Sequence, residues 1–447
     1  MLDVLWSVGA FAIAIGVLVS FHEFGHFWVA RKLGIKVLRY SIGFGKVVWS
    51  RQGRDGTEYA ISALPLGGYV KMLDEREGIV PPAELHRAFN RKPVAVRAAV
   101  VAAGPIFNLL LAIAAYWCTF VAGIEGVKPV IQEPPANTAA ARAGLHQNDE
   151  IVAVNGEATP TFQVLRTVLV ERVLDAKSVH LKVNHAGAAS RDAVLPLAQV
   201  RVDPEVLFDD LGLRGLELPI PAVLQEVVPG DPAAQAGFKP GDRLLAHDGK
   251  PIASWQDWAG WLRAHPGEVS KVEVQRGNEK LTLTVIIARD GERGRFGARV
   301  EVPPGLWDNL RAEYRLDVFA ALPAAVAQTW DMSALTLKML FRMVLGEISV
   351  KNVSGPIQIA QFAGYSASVG LVSFLSFIAV VSVSLAVLNL LPVPVLDGGH
   401  LLYYVVEAIQ GRPLSERAQQ LGQQIGLALL LMLMGLAFYN DISRLIS

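Results

Sequence analysis

Four long uncharged windows dominate the hydrophobic pattern of this 447-residue chain: residues 4–22, 98–124, 352–396 and 418–440. A helix needs ~20 apolar residues to cross a bilayer, so each window is long enough to span once. The third window is too long for one simple crossing. We expect its first part, residues 352–368, to approach the membrane as an interfacial or re-entrant segment, and residues 369–391 to cross it.

We expect the first window to be a retained helix rather than a cleaved signal peptide. No basic stretch precedes it, and it is longer than the apolar core of a signal peptide. Bulky Phe27 and Trp28 follow it, where a cleavage site would need small residues. The pattern therefore predicts four membrane-spanning helices.

Between the second and third windows, from about residue 127 to 302, short β-branched runs alternate with Gly and Pro. A motif in this region recurs at a fixed offset of 93 residues, which indicates a duplicated domain. Each copy reads as a helix ending at Gly, a turn, an apolar strand and a hairpin turn. The repeated positions are Ala143-Gly144-Leu145, Asp149 and Asn155-Gly156, matched by Ala236-Gly237-Phe238, Asp242 and Asp248-Gly249.

Residues 318–345 are mostly apolar but carry Asp331, Lys338 and Arg342. The two cationic residues are four apart and would share one helical face. This pattern favours an amphipathic helix lying along the outer membrane surface over a fifth span. Pro323 should mark the start of this helix or a kink in it.

The distribution of charge predicts the orientation of the chain. Residues 31–97 hold thirteen Lys or Arg against six Asp or Glu, which is typical of a cytoplasmic loop. Both termini and residues 125–350 would then face the opposite side, and the loop with Arg412 and Arg417 would return to the cytoplasm. The net charge of zero says little, because a membrane separates the contributing groups. Cys118 is the single cysteine, so no disulfide supports the exported region.

Candidate chemistry lies at the end of the first window, where His22, Glu23 and His26 follow the H-E-x-x-H pattern. Residues four apart lie on one helical face, so both imidazoles can aim at one metal while Glu23 stands beside it as a general base. A chance match is the alternative. An ionisable group in a membrane span costs about 2.5 kcal/mol or more, however, so this location favours a functional role.

A catalytic zinc usually takes three protein ligands, so a third ligand must come from elsewhere in the chain. Asp397 qualifies because it directly follows the third window. Pro392 and Pro394 would break that helix, and membranes tolerate free backbone groups mainly where they line a site or cavity. His400 is three residues further on and could compete, although we expect it to support the site or lie at the interface.

Together these motifs resemble the site-2 protease family of intramembrane zinc metalloproteases. The resemblance rests on H-E-x-x-H, on residues 104–108 (Gly-Pro-Ile-Phe-Asn) in the second window, and on N-x-x-P-x-P-x-L-D-G from Asn389 to Gly398. It covers nearly the whole chain. Four spans with a duplicated domain between the second and third are similar to the regulator of sigma-E protease branch, found in the inner membrane of Gram-negative bacteria.

The resemblance implies roles for particular residues. His22, His26 and Asp397 would bind Zn²⁺, and Glu23 would be the general base. Asn389 would help to hold the substrate backbone or the developing oxyanion. Residues 40–45 and 67–72 would form a membrane-associated β-hairpin whose edge strand engages an unwound substrate; its candidate substrate-binding residues are Gly43, Gly45, Gly67, Gly68 and Tyr69.

The duplicated domain resembles the circularly permuted bacterial PDZ domain, an α+β fold. PDZ domains capture extended peptides or free C-termini by adding a strand to a sheet edge. The alternative is that the glycines only serve turns. The candidate peptide-binding loops are Leu211-Gly212-Leu213 in the first copy and Phe296-Gly297-Ala298 in the second.

The sequence thus predicts a polytopic α-helical membrane protein with tandem PDZ domains between its second and third spans. The predicted segments are a first transmembrane helix 1–33, a hairpin loop 34–96, a second transmembrane helix 97–124, PDZ domains 125–217 and 218–305, an amphipathic or interfacial region 306–368, a third transmembrane helix 369–400, a cytoplasmic loop 401–424 and a fourth transmembrane helix 425–447.

The predicted activity is hydrolysis of a peptide bond in the transmembrane helix of a single-span protein. The resemblance implies an anti-sigma factor and leftover signal peptides as substrates, in an envelope stress response. Expected partners are therefore such a helix, the lipid bilayer and peptides at the PDZ domains, and no nucleic acid. One alternative is a membrane-tethered PDZ scaffold with a vestigial metal site, which the intact His-Glu-His-Asp set disfavours. Another is a transporter or channel, which the shortage of other intramembrane charges disfavours.

Overall fold

The computed structural model describes residues 2–173, 178–185, 189–197, 207–346 and 354–446. Contacts divide the chain into two compact units. Unit 1 is built mainly from Met1–Glu125 and Glu313–Ser447, and unit 2 mainly from the residues between them.

The helices, in chain order, are α1 (Leu2–Lys32), α2 (Val94–Ala122), α3 (Ala139–Arg142), α4 (Phe162–Val173), α5 (Leu207–Leu211), α6 (Pro232–Gln235), α7 (Trp255–Ala264), α8 (Val318–Val344), α9 (Pro356–Val369), α10 (Leu371–Leu390), α11 (Asp397–Gln410) and α12 (Glu416–Ile446).

The strands are β1 (Val37–Gln52), β2 (Glu58–Met72), β3 (Ile124–Val127), β4 (Asp149–Val154), β5 (Glu157–Ala158), β6 (Ser178–His185), β7 (Arg191–Pro196), β8 (Leu224–Val227), β9 (Arg243–His247), β10 (Lys250–Pro251), β11 (Val269–Arg276), β12 (Glu279–Ile286), β13 (Ala288–Asp290), β14 (Arg293–Arg295), β15 (Ala298–Val300) and β16 (Arg311–Tyr314).

Four of the described helices are long and apolar enough to cross a membrane: α1, α2, α10 and α12. They fall on the four windows predicted from the hydrophobic pattern. The long third window is divided at Gly370, whose φ of 143° separates α9 from α10. This division lies next to the boundary expected between residues 368 and 369, and the interfacial role of the first part stays a prediction.

The predicted loop 401–424 is mostly helical instead. Helix α11 runs to Gln410, and α12 begins at Glu416, well before the predicted residue 425. The hydrophobic pattern missed this start because the first turns of α12 are polar. Glu, Arg, Ala and Gln favour a helix without adding to an apolar window.

Helix α8 begins at Val318, where Asp317 caps it by accepting hydrogen bonds from the amides of Phe319 and Ala320. Pro323 lies inside the helix, so it does not mark the start. Pro323 is the sixth residue of the helix, beyond the first turn, so it removes one intrahelical hydrogen bond because proline has no N–H to donate to the carbonyl four residues earlier.

Strands β1 and β2 form an antiparallel hairpin, the arrangement that the family resemblance implies. Tyr40 pairs with both Val70 and Tyr59, so the first part of β1 lies between the two ends of β2. The last part of β2, residues 68–72, is thus an edge strand, with no strand on its other side among the described residues. At the far end of the hairpin, Val48 and Trp49 are exposed apolar side chains.

The duplication predicted from the sequence reappears in unit 2. Two four-stranded sheets share one strand order, β5-β4-β6-β7 and β10-β9-β11-β12. Asn155-Gly156 and Asp248-Gly249 close the corresponding hairpins with positive φ at both residues, as a type I′ turn requires.

The repeated aspartates stabilise each copy from within. Asp149 is fully buried and accepts hydrogen bonds from Arg191 at 2.6 Å and from the His146 backbone amide at 2.9 Å. Asp242 is equally buried and pairs with Arg276 at 2.7 Å. This ion pair raises the pKa of Arg276. The Asp recurs in both copies because each copy uses it as a buried carboxylate paired with an Arg.

Candidate metal and catalytic site

The two histidines of H-E-x-x-H lie on one face of α1, near its C-terminal end. Their Nε2 atoms are 3.2 Å apart, and each side chain is 12% exposed. The spacing of four residues produces this arrangement because the helix repeats every 3.6 residues.

Asp397 is the first residue of α11 and meets the histidine pair. Its Oδ2 atom lies 3.2 Å from His22 Nε2 and 3.5 Å from His26 Nε2. The candidate ligand atoms of all three residues lie within 4.8 Å of one another. This is the one such group of three among the described residues, and it joins positions 371 residues apart in the chain.

A break between α10 and α11 aims Asp397 at the histidines. The chain leaves α10 at Leu390, and Val395 adopts a φ of 109°, a conformation that a β-branched residue rarely takes. Gly398 and Gly399 are buried where a Cβ would strike backbone carbonyls of this break. The residues around Asp397 thus form a tight turn, and the two glycines let the start of α11 lie directly against the backbone of that turn.

Two further contacts orient the imidazoles. His26 Nδ1 lies 2.8 Å from the Val100 carbonyl, so Nδ1–H donates there and Nε2 keeps its lone pair for the site. The side-chain amide of Asn108, from α2, lies 3.2 Å from His22 Nδ1. Ser382 of α10 fixes Asn108 by donating to its backbone carbonyl at 2.7 Å.

Glycines allow α1 and α2 to cross at this point. A Cβ on Gly25 would meet the Ala103 carbonyl, and a Cβ on Gly104 would lie 2.7 Å from ring atoms of both His22 and His26. Since real Cβ atoms do not approach so closely, any other residue at Gly104 would displace the imidazoles.

Glu23 points towards the edge strand of the hairpin. A Cβ on Gly68 would lie 2.9 Å from Glu23 Cγ, so the strand passes directly over the glutamate. The Tyr40 hydroxyl donates to the Ser20 carbonyl of α1 at 3.0 Å and fastens the hairpin to the helix that carries the histidines.

A cavity of about 360 Å³ opens beside Glu23 and His26. Its walls include the edge strand at Val70 and Met72 and the first turns of α12. His400 also lines this cavity, with its ring 6.1 Å from that of Tyr403. His400 is therefore a neighbour of the three-residue cluster and is not one of its members.

The donor set suits a metal ion. Asp397 Oδ2 is buried and makes no hydrogen bond of normal geometry within the described residues, and Asn108 Oδ1 is also buried without a partner there. Turning the Asn108 amide over would let Oδ1 accept a hydrogen bond from His22 Nδ1–H, which leaves His22 Nε2 free. Two imidazole nitrogens and a carboxylate oxygen would then face one point, a set that Zn²⁺ accepts.

The other predicted site residues lie on two elements. Gly43, Gly45 and Gly67 take positive φ in the hairpin, and Tyr69 accepts a hydrogen bond from Arg39 at 3.0 Å. Asn389 is half-buried in the last turn of α10.

The predicted PDZ loops lie in unit 2. Leu211, Leu213 and Phe296 are buried, and Ala298 begins β15. Gly212 and Gly297 both take positive φ, and each lies against the residue preceding the short helix of its own copy, Thr138 or Asp231. The two loops are therefore equivalent in the two copies.

Sequence reasoning missed the supporting residues. The segment 104–108 served only as a mark of family resemblance, yet Gly104 and Asn108 both touch the histidines. An ion pair between Arg97 and Glu407 also went unnoticed, because nothing in the local sequence of either residue signals a partner 310 residues away.

Helices of membrane-spanning length around two imidazoles and a carboxylate, with a glutamate beside them, define a membrane metalloprotease. The model of Peptidase family M50 matches residues 10–433, so the chain belongs to that family, the site-2 proteases. The predicted family is thereby confirmed.

Relatives agree over the full length. The chain is 42% identical to Regulator of sigma-E protease RseP of Escherichia coli K12 over 450 residues, covering 100% of both chains. It is also 42% identical to a Pasteurella multocida protein named "Putative zinc metalloprotease", covering 99% of each. The chain is a zinc metalloprotease, as the sequence predicts. Among solved structures, a PDZ domain of an SdrC-like protein from Listeria monocytogenes aligns with 20% of the chain and 92% of that domain, at 16% identity and a TM-score of 0.17.

Proposed function

We propose that this protein is an intramembrane endopeptidase that hydrolyses a peptide bond within the transmembrane segment of a single-span membrane protein. The observation that carries the proposal is the convergence of His22, His26 and Asp397 on helices of the apolar unit, with Glu23 beside them. A polar cluster at that location has no role in packing.

In this proposal His22, His26 and Asp397 hold Zn²⁺. When bound, the ion supplies Lewis acidity, which acidifies water and polarises a peptide carbonyl. Within the described residues, Asp397 Oδ2 and the two Nε2 atoms approach one another and have no other hydrogen-bond partner. Val100 and Asn108 hold the ring orientations from outside the site.

Glu23 acts as the general base and then as the general acid. Its carboxylate removes a proton from the attacking water and later delivers that proton to the leaving amine. The partly closed position of Glu23 beneath Gly68 keeps the carboxylate away from bulk solvent, and the cavity beside it gives water a way in.

The edge strand, residues 68–72, binds the substrate. A transmembrane helix hides its carbonyls in its own hydrogen bonds, so it must unwind locally before hydrolysis. The open edge of this strand can pair with the freed segment and place a carbonyl near Glu23. Gly43, Gly45, Gly67 and Tyr69 shape the hairpin, and Asn389 contributes a side-chain amide that can hold the substrate backbone.

The charge pattern supports a cytoplasmic location for the hairpin loop and for the open side of the site. Both termini and unit 2 then lie in the periplasm of a bacterium, with unit 1 in the inner membrane. Relatives carry the name regulator of sigma-E protease, which links such proteases to the control of sigma-E. An anti-sigma factor is accordingly the substrate that we propose.

The two copies in unit 2 are PDZ domains, at 125–217 and 218–305, that control access of substrates from the exported side. Equivalent glycine loops at Gly212 and Gly297 and matching sheet orders support this interpretation. Their loops would receive an extended peptide or a C-terminus.

Replacement of Glu23 by Gln tests the proposal. We expect cleavage of a tagged single-span substrate in reconstituted vesicles to fall by about 10²- to 10⁴-fold, the typical contribution of a general base. Zinc content, measured by mass spectrometry of the purified protein, should stay the same. Glu416→Gln, at an exposed position on α12, is the matched control and should cleave normally.

Unchanged cleavage by the Glu23→Gln protein would refute the proposed role. Asp397→Ala should lose zinc as well as activity. Full zinc occupancy and activity in that variant would refute Asp397 as the third ligand and make His400 the next candidate.

A further inference from the structure

Helix α8 packs tightly against two of the candidate membrane spans. Ala321 and Ala325 are fully buried and belong to one apolar cluster with Ala112 and Tyr116 of α2 and Val383 of α10. At its start, the Val318 carbonyl accepts a hydrogen bond from Trp117 Nε1 at 2.9 Å. Small side chains let the helix axes approach closely, which is typical of helix packing in membranes.

The contact continues along most of α8. Met332 and Leu340, further along the helix, pack against the same cluster. From Ala321 to Leu340 the helix rises roughly 28 Å at about 1.5 Å per residue. A hydrocarbon core is about 30 Å thick, so α8 follows the spans through a large part of that depth. A helix lying flat on the membrane surface would leave the spans after one or two turns.

The side of α8 turned away from Ala321 and Ala325 carries an exposed apolar stripe. Its members recur at steps of three, four or seven residues, which is one helical face. No charged residue falls on this stripe within the described part of α8. The stripe consists of Phe319, Leu322, Val326, Trp330, Leu337 and Phe341, with Phe319 88% and Trp330 74% exposed.

The hydroxyl groups of α8 need no water. Thr329, Ser333 and Thr336 each donate to the carbonyl four residues earlier, at 2.8, 2.6 and 2.7 Å. Polar groups in hydrocarbon must find partners inside the protein, and this pattern satisfies that demand. Asp331, Lys338 and Arg342 are half-buried on one flank, between the packed face and the stripe.

We propose that α8 is inserted in the lipid bilayer beside α2 and α10 and that its apolar stripe contacts lipid acyl chains. The membrane part of the protein would then have a fifth helix at bilayer depth, where the sequence pattern predicts a helix on the outer surface. This inference does not depend on the proposed catalytic function.

Spin labels test the depth of α8. Cys118→Ala gives a chain without cysteine, because Cys118 is the only one. Single cysteines replace Phe319, Trp330 and Leu337, all exposed positions, and the labelled proteins are reconstituted in phosphatidylcholine and phosphatidylglycerol vesicles. Leu431 of α12, 60% exposed, is the lipid standard, and Glu279 of unit 2 is the water standard.

At 330 and 337 we expect the ratio of oxygen to nickel-chelate accessibility to match that at Leu431 and to exceed that at Glu279 severalfold. The depth should increase from 319 to 330. Equal, shallow depths at all three positions would overturn insertion, and preferential access by the nickel chelate would overturn lipid contact. Protection from both reagents would assign the stripe to another protein helix and also refute the proposal.

A second measurement uses the chain without substitutions. A lipid-soluble photoactivated carbene reagent should modify peptides from α8 to the same extent as peptides from α12, when mapped by mass spectrometry. Absence of modification on α8 alone would contradict the proposal even if a labelled variant had failed to fold.

Discussion

Asn108 is fully buried between the HExxH helix and α10, and its side-chain amide contacts a candidate metal ligand. Burial of an amide is unfavourable unless its polar atoms are used. Here the side-chain nitrogen of Asn108 faces His22 Nδ1. The Ser382 hydroxyl donates a hydrogen bond to the backbone carbonyl of Asn108. With its amide turned so that Oδ1 faces the ring, Asn108 would accept Nδ1–H from His22 and select the tautomer that leaves Nε2 free.

Replacement of Asn108 by Ala should weaken zinc binding by about 10- to 100-fold, the usual effect of removing a residue that orients a metal ligand. Asn108→Asp keeps an acceptor at that place and should lose less. Chelator competition measures the affinity directly, without the protease assay. Thr119→Ala, another buried polar residue of α2, is the control. Identical competition midpoints for Asn108→Ala and the unchanged protein would exclude the orienting role.

Among single residues, the sequence predicted which polar side chains would come together and missed the residues that orient them. His22, Glu23 and His26 are adjacent on a helix, so spacing alone brings them together. Asp397 could be proposed because a carboxylate after a hydrophobic span is costly. Gly104 and Asn108 carry no such signal. Their importance comes from the crossing of α1 and α2, which local patterns do not encode.

Helix α11 contributes to the site because Asp397 is its first residue. Its orientation is held from the other end by Arg97 of α2, which binds Glu407 through two hydrogen bonds of 3.1 and 2.7 Å. The Arg97 guanidinium also lies 4.9 Å from the centre of the Tyr404 ring. Both charged side chains are nearly buried, at 13% and 14% exposure.

Glu407→Ala should reduce zinc affinity and cleavage by roughly tenfold or more, because it leaves a nearly buried charge unpaired and frees the end of α11. Exchange of the two charges, Arg97→Glu with Glu407→Arg, should restore part of the loss. A double-mutant cycle on zinc affinity and on thermal stability measures this coupling.

The exposed pair of Arg91 and Glu75 provides the control, since surface ion pairs contribute about 0–1 kcal/mol. Glu75→Ala should therefore change little. If the charge exchange restored neither zinc affinity nor stability, Arg97 and Glu407 would act independently. Their ion pair would then not hold the orientation of α11.

Hydropathy predicted the elements well where helices are apolar and poorly where they are not. The break at Gly370 and the turn after Leu390 follow from Gly and Pro in the sequence. The polar start of α12 and the packed side of α8 were missed. Their placement depends on neighbours in the fold, and an 18- to 20-residue window averages that information away.

The two copies in unit 2 share one strand order, and one of the buried positions at which they differ holds a titratable side chain in the second copy only. His247 of the second copy corresponds to Val154 of the first, at the repeat offset of 93 residues. The His247 ring lies 5.2 Å from that of Trp258 and 4.5 Å from that of Trp261, and the residue is 9% exposed. Sequence predicted the duplication because turns and glycines repeat, but it could not show that this histidine is buried.

Burial lowers the pKa of His247 below its ordinary value, with Asp248 acting in the opposite direction and Lys250 in the same one. The folded copy thus disfavours the charged imidazole. Its stabilising contribution is present above the unfolded pKa of about 6.5 and is lost as the pH falls below it. Hydrogen bonds from Lys271 and Ser270 lower the pKa of Asp248, so that carboxylate titrates only in more acidic solution.

We therefore expect acidification from pH 7.5 to 5.5 to weaken the second copy more than the first. Hydrogen exchange of the full-length protein, corrected for the intrinsic pH dependence, should show protection falling in β9, β11 and α7 while the corresponding β4, β6 and α4 change less. His247→Val copies the residue of the first domain and should remove this difference. Equal losses in both copies, unaffected by His247→Val, would show that protonation of His247 does not control the pH response. Such a difference would make the second copy more responsive to acid than the first.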